Sequence, residues 1–284
     1  MADVAIGRGK SARQAYELDD IVLVPSRRVR DRDDVDLSWK IDAYKLGLPM
    51  IAAGIHAPMT TEDAVAAGAA GALPVVNLEL LWAEHGDAAG LASALDEARG
   101  EHRIAVSVSP KNAEELVPHA VKAEAELIII RGDVVSAQHV SSVGDTLDLK
   151  AFIRSLDTPV IVGACQSYEA GLHLMRTGAA GVLVGNNGGG AGIDVPLATA
   201  IADVRAARVR HLDETSVYCH LIAMGAIANG TDVAKAIAIG ADAVVVDQAM
   251  VTGDEGVAED LSETMAVCGY TDVKAFQKAE VVVR

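Results

Sequence analysis

The sequence predicts an α/β fold, a (β/α)8 TIM barrel, on three observations. Short apolar runs recur along residues 48–246, and each is followed by a stretch with helical caps or helical spacing. These runs lack strict apolar–polar alternation, as parallel strands buried on both faces should. The junctions from helix into strand repeat as Gly68-Ala-Ala-Gly-Ala-Leu73, Gly178-Ala-Ala-Gly-Val-Leu183 and Gly240-Ala-Asp-Ala-Val-Val245. A unit of this kind recurring about eight times closes into a barrel. A doubly wound open sheet is the alternative arrangement of the same unit.

Taken in order, residues 1–47 form a lead-in segment and residues 48–284 a single barrel domain. Residues 1–15 are polar and expected to be loose. Within them Gly7-Arg-Gly-Lys-Ser11 hints at a phosphate loop, but the first glycine of the G-x4-G-K-S spacing would fall on Val4 and no strand precedes it. The motif is rejected. Residues 16–25 (YELDDIVLVP) read as ordered, and Arg27, Arg28 and Arg30 as a solvated basic turn.

Strands are expected at residues 49–53, 73–77, 104–108, 127–130, 159–162, 182–184, 220–223 and 243–246. Four helix starts stand out from their caps. Ser109-Pro110 opens one, Ser167 opens a second that ends at Gly178, and Asp194 with Pro196 opens a third. Thr231 opens a fourth that stops at Gly240. In the third, Leu197, Ile201 and Val204 share a face, with Asp203, Arg205 and Arg208 placed elsewhere, as in a helix packed on a sheet. Between the sixth strand and that helix lies a glycine-rich loop, residues 185–192, of the kind that brings backbone N–H groups up to an anion.

The bulk properties remove whole function classes. A net charge of −16 argues against nucleic acid or an anionic membrane as partner. No apolar run reaches the length of a membrane span, and the N-terminus lacks the apolar core of a signal peptide. The three cysteines, Cys165, Cys219 and Cys268, form no CxxC or Cys/His spacing, so no metal site is expected. An odd count without a framework fits a reducing cytoplasm.

A barrel builds its site at the C-terminal ends of its strands. The residues there are Gly54 and His56, Asn77 and Glu79, Ser107 and Ser109, Arg131 and Asp133, Cys165 and Gln166, Asn186 and Asn187, Met224, and Asp247 and Gln248. Convergent polar groups over an apolar floor mark a small-molecule site. Each has a plainer reading as well. His56 fits a surface loop, Arg131 with Asp133 a simple salt bridge, Cys165 a packed thiol and Met224 a packing residue. Asp247 ends a very apolar strand and needs a cation or hydrogen-bond donors.

Several segments carry a family likeness: residues 16–25, 158–163 (TPVIVG), 173–185 (HLMRTGAAGVLVG), 195–203 (VPLATAIAD), 233–244 (VAKAIAIGADAV) and 269–277 (GYTDVKAFQ). Together they resemble the IMP dehydrogenase/GMP reductase family, in particular its short actinobacterial branch without the regulatory CBS insertion. The resemblance runs nearly end to end and implies a barrel and a homotetramer. In that family the sixth strand runs into a Gly-Pro-Gly-Ser/Ala-x-Cys-Thr-Thr-Arg loop, whose cysteine attacks C2 of the purine and whose backbone holds the 5′-phosphate. Here residues 185–194 read GNNGGGAGID, with no cysteine, threonine or arginine. Met224 stands where the family's ribose-binding aspartate should be, and Val246-Asp-Gln248 where a phosphate-gripping Leu-Gly-Ser/Thr should be. A carboxylate beside an anion is repulsive by about 1–4 kcal/mol at about 4 Å. The Met-Asp-Thr turn after the first strand is Ile55-His-Ala57, and no flap carrying a catalytic base is recognisable after Gln248.

Three functions compete. The expected one is a repurposed barrel enzyme of specialised metabolism that uses no cofactor and works by acid–base chemistry such as cyclisation, isomerisation or elimination. His56 and either Asp247 or Asp133 would exchange protons, Arg131 would hold an anionic group, and Cys165 is a reserve nucleophile. Asn77, Gln166, Asn186, Asn187, Gly188, Met224 and Gln248 would line the substrate. The second is NAD-dependent IMP dehydrogenase or GMP reductase activity by an altered route. The third is a non-catalytic metabolite-binding or partner protein.

Overall fold

The computed structural model describes residues 3–132, 135–137, 146–186, 193–253 and 256–284. Eight parallel strands close into a barrel: β1 (Met50–Ala53), β2 (Leu73–Asn77), β3 (Ala105–Val108), β4 (Leu127–Arg131), β5 (Val160–Cys165), β6 (Gly181–Gly185), β7 (His220–Met224) and β8 (Ala243–Asp247). The last strand pairs with the first, Val244 opposite Met50 and Asp247 opposite Ala53, so the open sheet is excluded. All eight expected runs carry a strand. The largest differences lie at C-terminal ends, where β5 runs on to Cys165 and β4, β7 and β8 take in Arg131, Met224 and Asp247.

Around the barrel run α1 (Thr61–Ala69), α2 (Leu78–His85), α3 (Ala88–Arg99), α4 (Ala113–Lys122), α5 (Leu149–Arg154) and α6 (Tyr168–Met175). The second half adds α7 (Leu197–Thr215), α8 (Gly230–Ile239), α9 (Gln248–Thr252), α10 (Val257–Val267) and α11 (Val273–Phe276). Among the described residues, no helix is long and apolar enough to cross a membrane.

The missing alternation in the strands has a direct cause. Ile51, Val75, Ile129, Ile161, Leu183 and Val245 belong to the lumen core. Their neighbours Ala52, Val76, Ile128, Val162, Val184 and Val246 belong to the layer under the helices. Both faces of each strand are therefore buried in apolar surroundings, and period two disappears from the hydropathy although it persists in the geometry.

The N-terminal end of the lumen is plugged by an antiparallel hairpin, residues 39–46, whose Trp39, Ile41 and Leu46 join the lumen core. The first residues are more ordered than their polarity suggests. Asp3–Gly7 and Lys10–Arg13 form an exposed hairpin that contains the rejected phosphate-loop motif, and Arg13 ties it to Asp203 on α7 at 2.5 Å. The segment Ile21–Leu23 pairs antiparallel with Val281–Val283 near the C-terminus.

Helix starts follow the acceptors that tertiary contacts supply. Ser167 caps α6 as expected, its hydroxyl oxygen accepting the Ala170 N–H. For α8 the cap is Asn229 rather than Thr231. Helix α4 begins at Ala113, after Asn112, because Ser109 is engaged by Glu79. Helix α7 begins after Pro196 with no side-chain cap of its own, and the Glu17 carboxylate accepts the Leu197 N–H at 2.9 Å instead. Leu197, Ile201 and Val204 are buried as the spacing requires, but so is Arg208. It lies four residues beyond Val204 on the same face, where a buried carboxylate, Asp242, receives it at 2.7 Å.

Candidate functional site

The C-terminal ends of the strands surround a cavity of about 200 Å³. Its floor is the top of the lumen core (Ile129, Leu183, Met224, Val245), and its rim carries His56, Asn77, Ser107 and Arg131. Two further cavities open beside it. One of about 230 Å³ shares Asn77, Ser107, Arg131 and Met224 and adds Glu79, Ser109 and Asn186. The other, of about 610 Å³, shares Ile55 and His56 and adds Glu17, Asp19, Asp232 and Asp247.

On one wall, Asn77 ends β2 and caps α2, its Oδ1 accepting the N–H groups of Glu79 (2.9 Å) and Leu80 (3.2 Å). This turn brings Glu79 back over β3. Its Oε1 accepts from the Ser109 hydroxyl at 2.5 Å, the Ser109 N–H at 3.2 Å and Asn112 Nδ2 at 2.6 Å. Burial pushes the Glu79 carboxyl up, but these donors and the nearby Arg131 charge outweigh it and hold the group below its ordinary value. Among the described residues Arg131 has no ion-pair partner in contact. The arrangement presents one cation near a carboxylate already committed to three donors.

The opposite wall is built by Asp247. In the barrel order β4 and β8 are four strands apart either way, so Arg131 and Asp247 end strands on opposite sides of the mouth. Asp247 is buried, and its carboxylate accepts the N–H groups of Ile55, His56 and Ala249, each at 3.1 Å. Burial raises its pKa, but those three N–H groups and the charge of His56 lower it further, so the carboxyl lies below its ordinary range. This answers the need for donors at the end of an apolar strand. It also makes Asp247 a clamp on the loop that carries His56 rather than a free proton carrier. His56 itself is exposed at the rim.

The structure thus brings His56, Asn77, Arg131, Asn186, Met224 and Asp247 together at the mouth. It does not bring Cys165 there. That side chain belongs to the layer under the helices, its Sγ lies 3.3 Å from the Leu183 carbonyl oxygen, and burial pushes the thiol up to about 12. A thiol held neutral and enclosed is no nucleophile. Gln166 borders none of the three cavities, and its Oε1 accepts the Val195 N–H at 2.8 Å just beyond the glycine-rich loop. Gln248 sits in the first turn of α9 and borders none of the three cavities. Asp133, Asn187 and Gly188 lie outside the described residues.

Glu79 and Ser109 were legible only as residues near strand ends, and Asn112 and Glu17 not at all as site neighbours. The signal for Glu79 was an acidic residue in the turn after a strand-ending Asn. For Glu17 there was none, because its helix lies 180 residues away. The start of the glycine-rich loop has a structural reason as well. Gly185 has φ +108°, and a Cβ there would lie 2.1 Å from the Met224 carbonyl oxygen, so β6 and β7 can approach only with glycine at this point.

The remaining thiols are also buried. Cys219 and Cys268 both have pKa values raised by burial. Since the chain has three cysteines in all, none is offered at the mouth.

With this geometry in view, the comparisons with known proteins are specific. The sequence profile of the IMP dehydrogenase / GMP reductase domain matches residues 15–279. An uncharacterized oxidoreductase of Mycolicibacterium smegmatis is 40% identical over 298 aligned positions, covering 89% of this chain and 80% of the relative. The inosine-5′-monophosphate dehydrogenase of Methanocaldococcus jannaschii is 30% identical over 164 positions, covering 55% of this chain and 31% of that protein. The crystal structure of an IMP dehydrogenase/GMP reductase-like protein from Corynebacterium glutamicum superposes with a TM-score of 0.89 at 35% identity, covering 99% of this chain and 98% of that one. A closed barrel of eight parallel strands and a profile match over nearly its whole length place this chain in the IMP dehydrogenase/GMP reductase domain family.

Proposed function

We propose that this member of the family is a small-molecule enzyme whose barrel mouth performs acid–base chemistry, an isomerisation, cyclisation or elimination, on an anionic substrate. The observation that carries it is the pairing at one mouth of an arginine and an exposed imidazole, with every thiol of the chain buried elsewhere. Arg131 holds the anionic group of the substrate, and His56 exchanges the proton, held in place through the backbone bond of its own N–H to Asp247. The Asn77, Asn186 and Met224 side chains line the bound molecule.

The family implies a nicotinamide cofactor taking hydride from a purine held as a thiol adduct. The residues present do not fit that role. A thiol must reach the mouth to form the adduct, and Cys165, Cys219 and Cys268 are all enclosed with raised pKa values. No cofactor is therefore part of the proposal, and a homotetramer is carried over from the family resemblance.

One observation favours a second reading, oxidoreduction by another route: the mycobacterial relatives are named as oxidoreductases. A single assay separates the two. The purified protein is given IMP with NAD, and GMP with NADPH, and nicotinamide absorbance is followed. The expected result is no turnover in either direction, and steady turnover would overturn the proposal. In parallel, anionic metabolites are screened by thermal shift and hits are followed for conversion. Arg131→Ala should weaken binding by roughly tenfold or more, the scale of one charge-assisted contact. His56→Ala should leave binding in place and lower conversion by about 10²-fold or more. Conversion that survives both substitutions would show the assignment to be wrong.

A further inference from the structure

A second cavity lies at the other end of the barrel, under the plug hairpin, and its volume of about 560 Å³ suits a small metabolite. The family match and the mouth give it no role. Its lining contains Lys40 and Lys45 from the hairpin and Lys274 from α11. In the hairpin register Lys40 stands directly opposite Lys45. Like charges directly across an antiparallel pair repel each other. Neither lysine makes an ion pair among the described residues. In a chain of net charge −16, a cavity wall with three ammonium groups is a local reversal of sign.

Two carboxylates also line the cavity, Asp242 beside Lys274 and Asp36, which feels the Lys45 charge, and neither is in ion-pair contact with Lys40 or Lys45 among the described residues. Asp242 is buried and saturated: it accepts from Arg208 (2.7 Å), Tyr218 Oη (2.7 Å), Gln277 Nε2 (2.8 Å) and the Leu221 N–H (2.8 Å). Lys274 lies 3.5 Å from it and over the Tyr218 ring at 3.8 Å. Asp36 is exposed and accepts the Ser38 N–H at 2.8 Å. Two buried polar atoms of the wall have no hydrogen-bond partner, Trp39 Nε1 and His220 Nδ1. An enclosed donor left unpaired is costly, so Trp39 in particular is a donor waiting for an acceptor. Its ring, 5% exposed, meets His220 edge-on at 6.1 Å and gives the cavity an apolar side.

We propose that this cavity is a second ligand site, separate from the mouth, for a small organic anion whose phosphate or carboxylate group sits between Lys40 and Lys45. The anion relieves the cross-strand repulsion, and the body of the ligand packs toward Trp39 at the base of the plug.

The test uses the full chain. Trp82 lies on α2, so Trp82→Phe leaves Trp39 as the chain's sole tryptophan fluorophore. Inorganic phosphate, phenyl phosphate and benzoate are titrated separately, with calorimetry alongside the emission. The site predicts saturable binding of phenyl phosphate or benzoate with a change in Trp39 emission, and the stronger of the two names the headgroup. Lys40→Gln with Lys45→Gln, both exposed and so tolerated by the fold, should weaken it at least tenfold. Arg131→Ala, at the opposite end, should leave it unchanged. No saturable signal from the two organic anions by either method, binding undiminished in the lysine variant, or loss of binding in Arg131→Ala would each overturn the second site. Only the Arg131→Ala outcome touches the mouth, where it would place the bound anion, and none of the outcomes tests conversion at the mouth, so the two readings fail separately.

Discussion

Replacing Arg208 by Met removes a guanidinium that is 5% exposed and sits 2.7 Å from Asp242, itself 6% exposed. Breaking a buried pair by removing one partner costs about 3–5 kcal/mol, because the remaining charge is left without compensation. Here the low end applies, since Asp242 keeps the Leu221 N–H, Tyr218 Oη and Gln277 Nε2, with Lys274 at 3.5 Å. The lost stacking of Arg208 over Tyr218, 4.9 Å from the ring centre, adds about 0.5–1 kcal/mol. A loss of about 3–4 kcal/mol is therefore expected in urea unfolding followed by circular dichroism. Adding Asp242→Asn removes the stranded charge, so the double variant should be more stable than the sum of the singles, with a coupling of about 2 kcal/mol. The pH dependence has a definite sign. Burial raises the Asp242 pKa, but Arg208, His220 and Lys274 together bring it below its ordinary value. Its contribution is thus fully present above the unfolded carboxyl pKa and is lost as pH falls through the folded one. Asp242→Asn should flatten that acid limb. A loss under about 1 kcal/mol for Arg208→Met, or additive behaviour of the pair, would refute this account of the helix-to-barrel tie.

Three other outcomes follow from the same kind of accounting. Asp247→Ala leaves three backbone N–H groups without their acceptor, which should destabilise the protein by about 2–3 kcal/mol and increase amide exchange at Ile55, His56 and Ala249. Unchanged exchange at those residues would remove the clamp. Native protein should resist a thiol reagent at all three cysteines and react with it only on unfolding, because burial raises each thiol; rapid stoichiometric labelling of folded protein would contradict that. Glu17→Ala should cost about 1 kcal/mol through the uncapped start of α7, measured by urea unfolding, and no change would show that Leu197 finds another acceptor.

What the sequence determined by itself was local and periodic. Eight apolar runs, each long enough for one strand and three of them entered through a repeated glycine junction, left little choice but parallel strands, while closure rather than an open sheet was decided by the pairing of the last strand with the first. The same repetition put His56, Asn77, Arg131 and Asp247 at one end, since strand ends in a barrel converge. The absence of cysteine, threonine and arginine from residues 185–194 was equally plain, being a matter of residue identity alone. Roles were another matter, because a role depends on what a side chain meets. Asp247 is committed to backbone donors from the loop after β1, 191 and 192 positions earlier, and Cys165 faces the helices because the register of β5 against β6 shifts between Val162 and Cys165. Arg208 looked like a surface charge until the chain folded Asp242 beneath it, and Glu17 became the cap of a helix it precedes by 180 residues. Hydropathy reports the average cost of burying a residue; whether a charged one is buried is decided by a partner that only the tertiary fold can deliver.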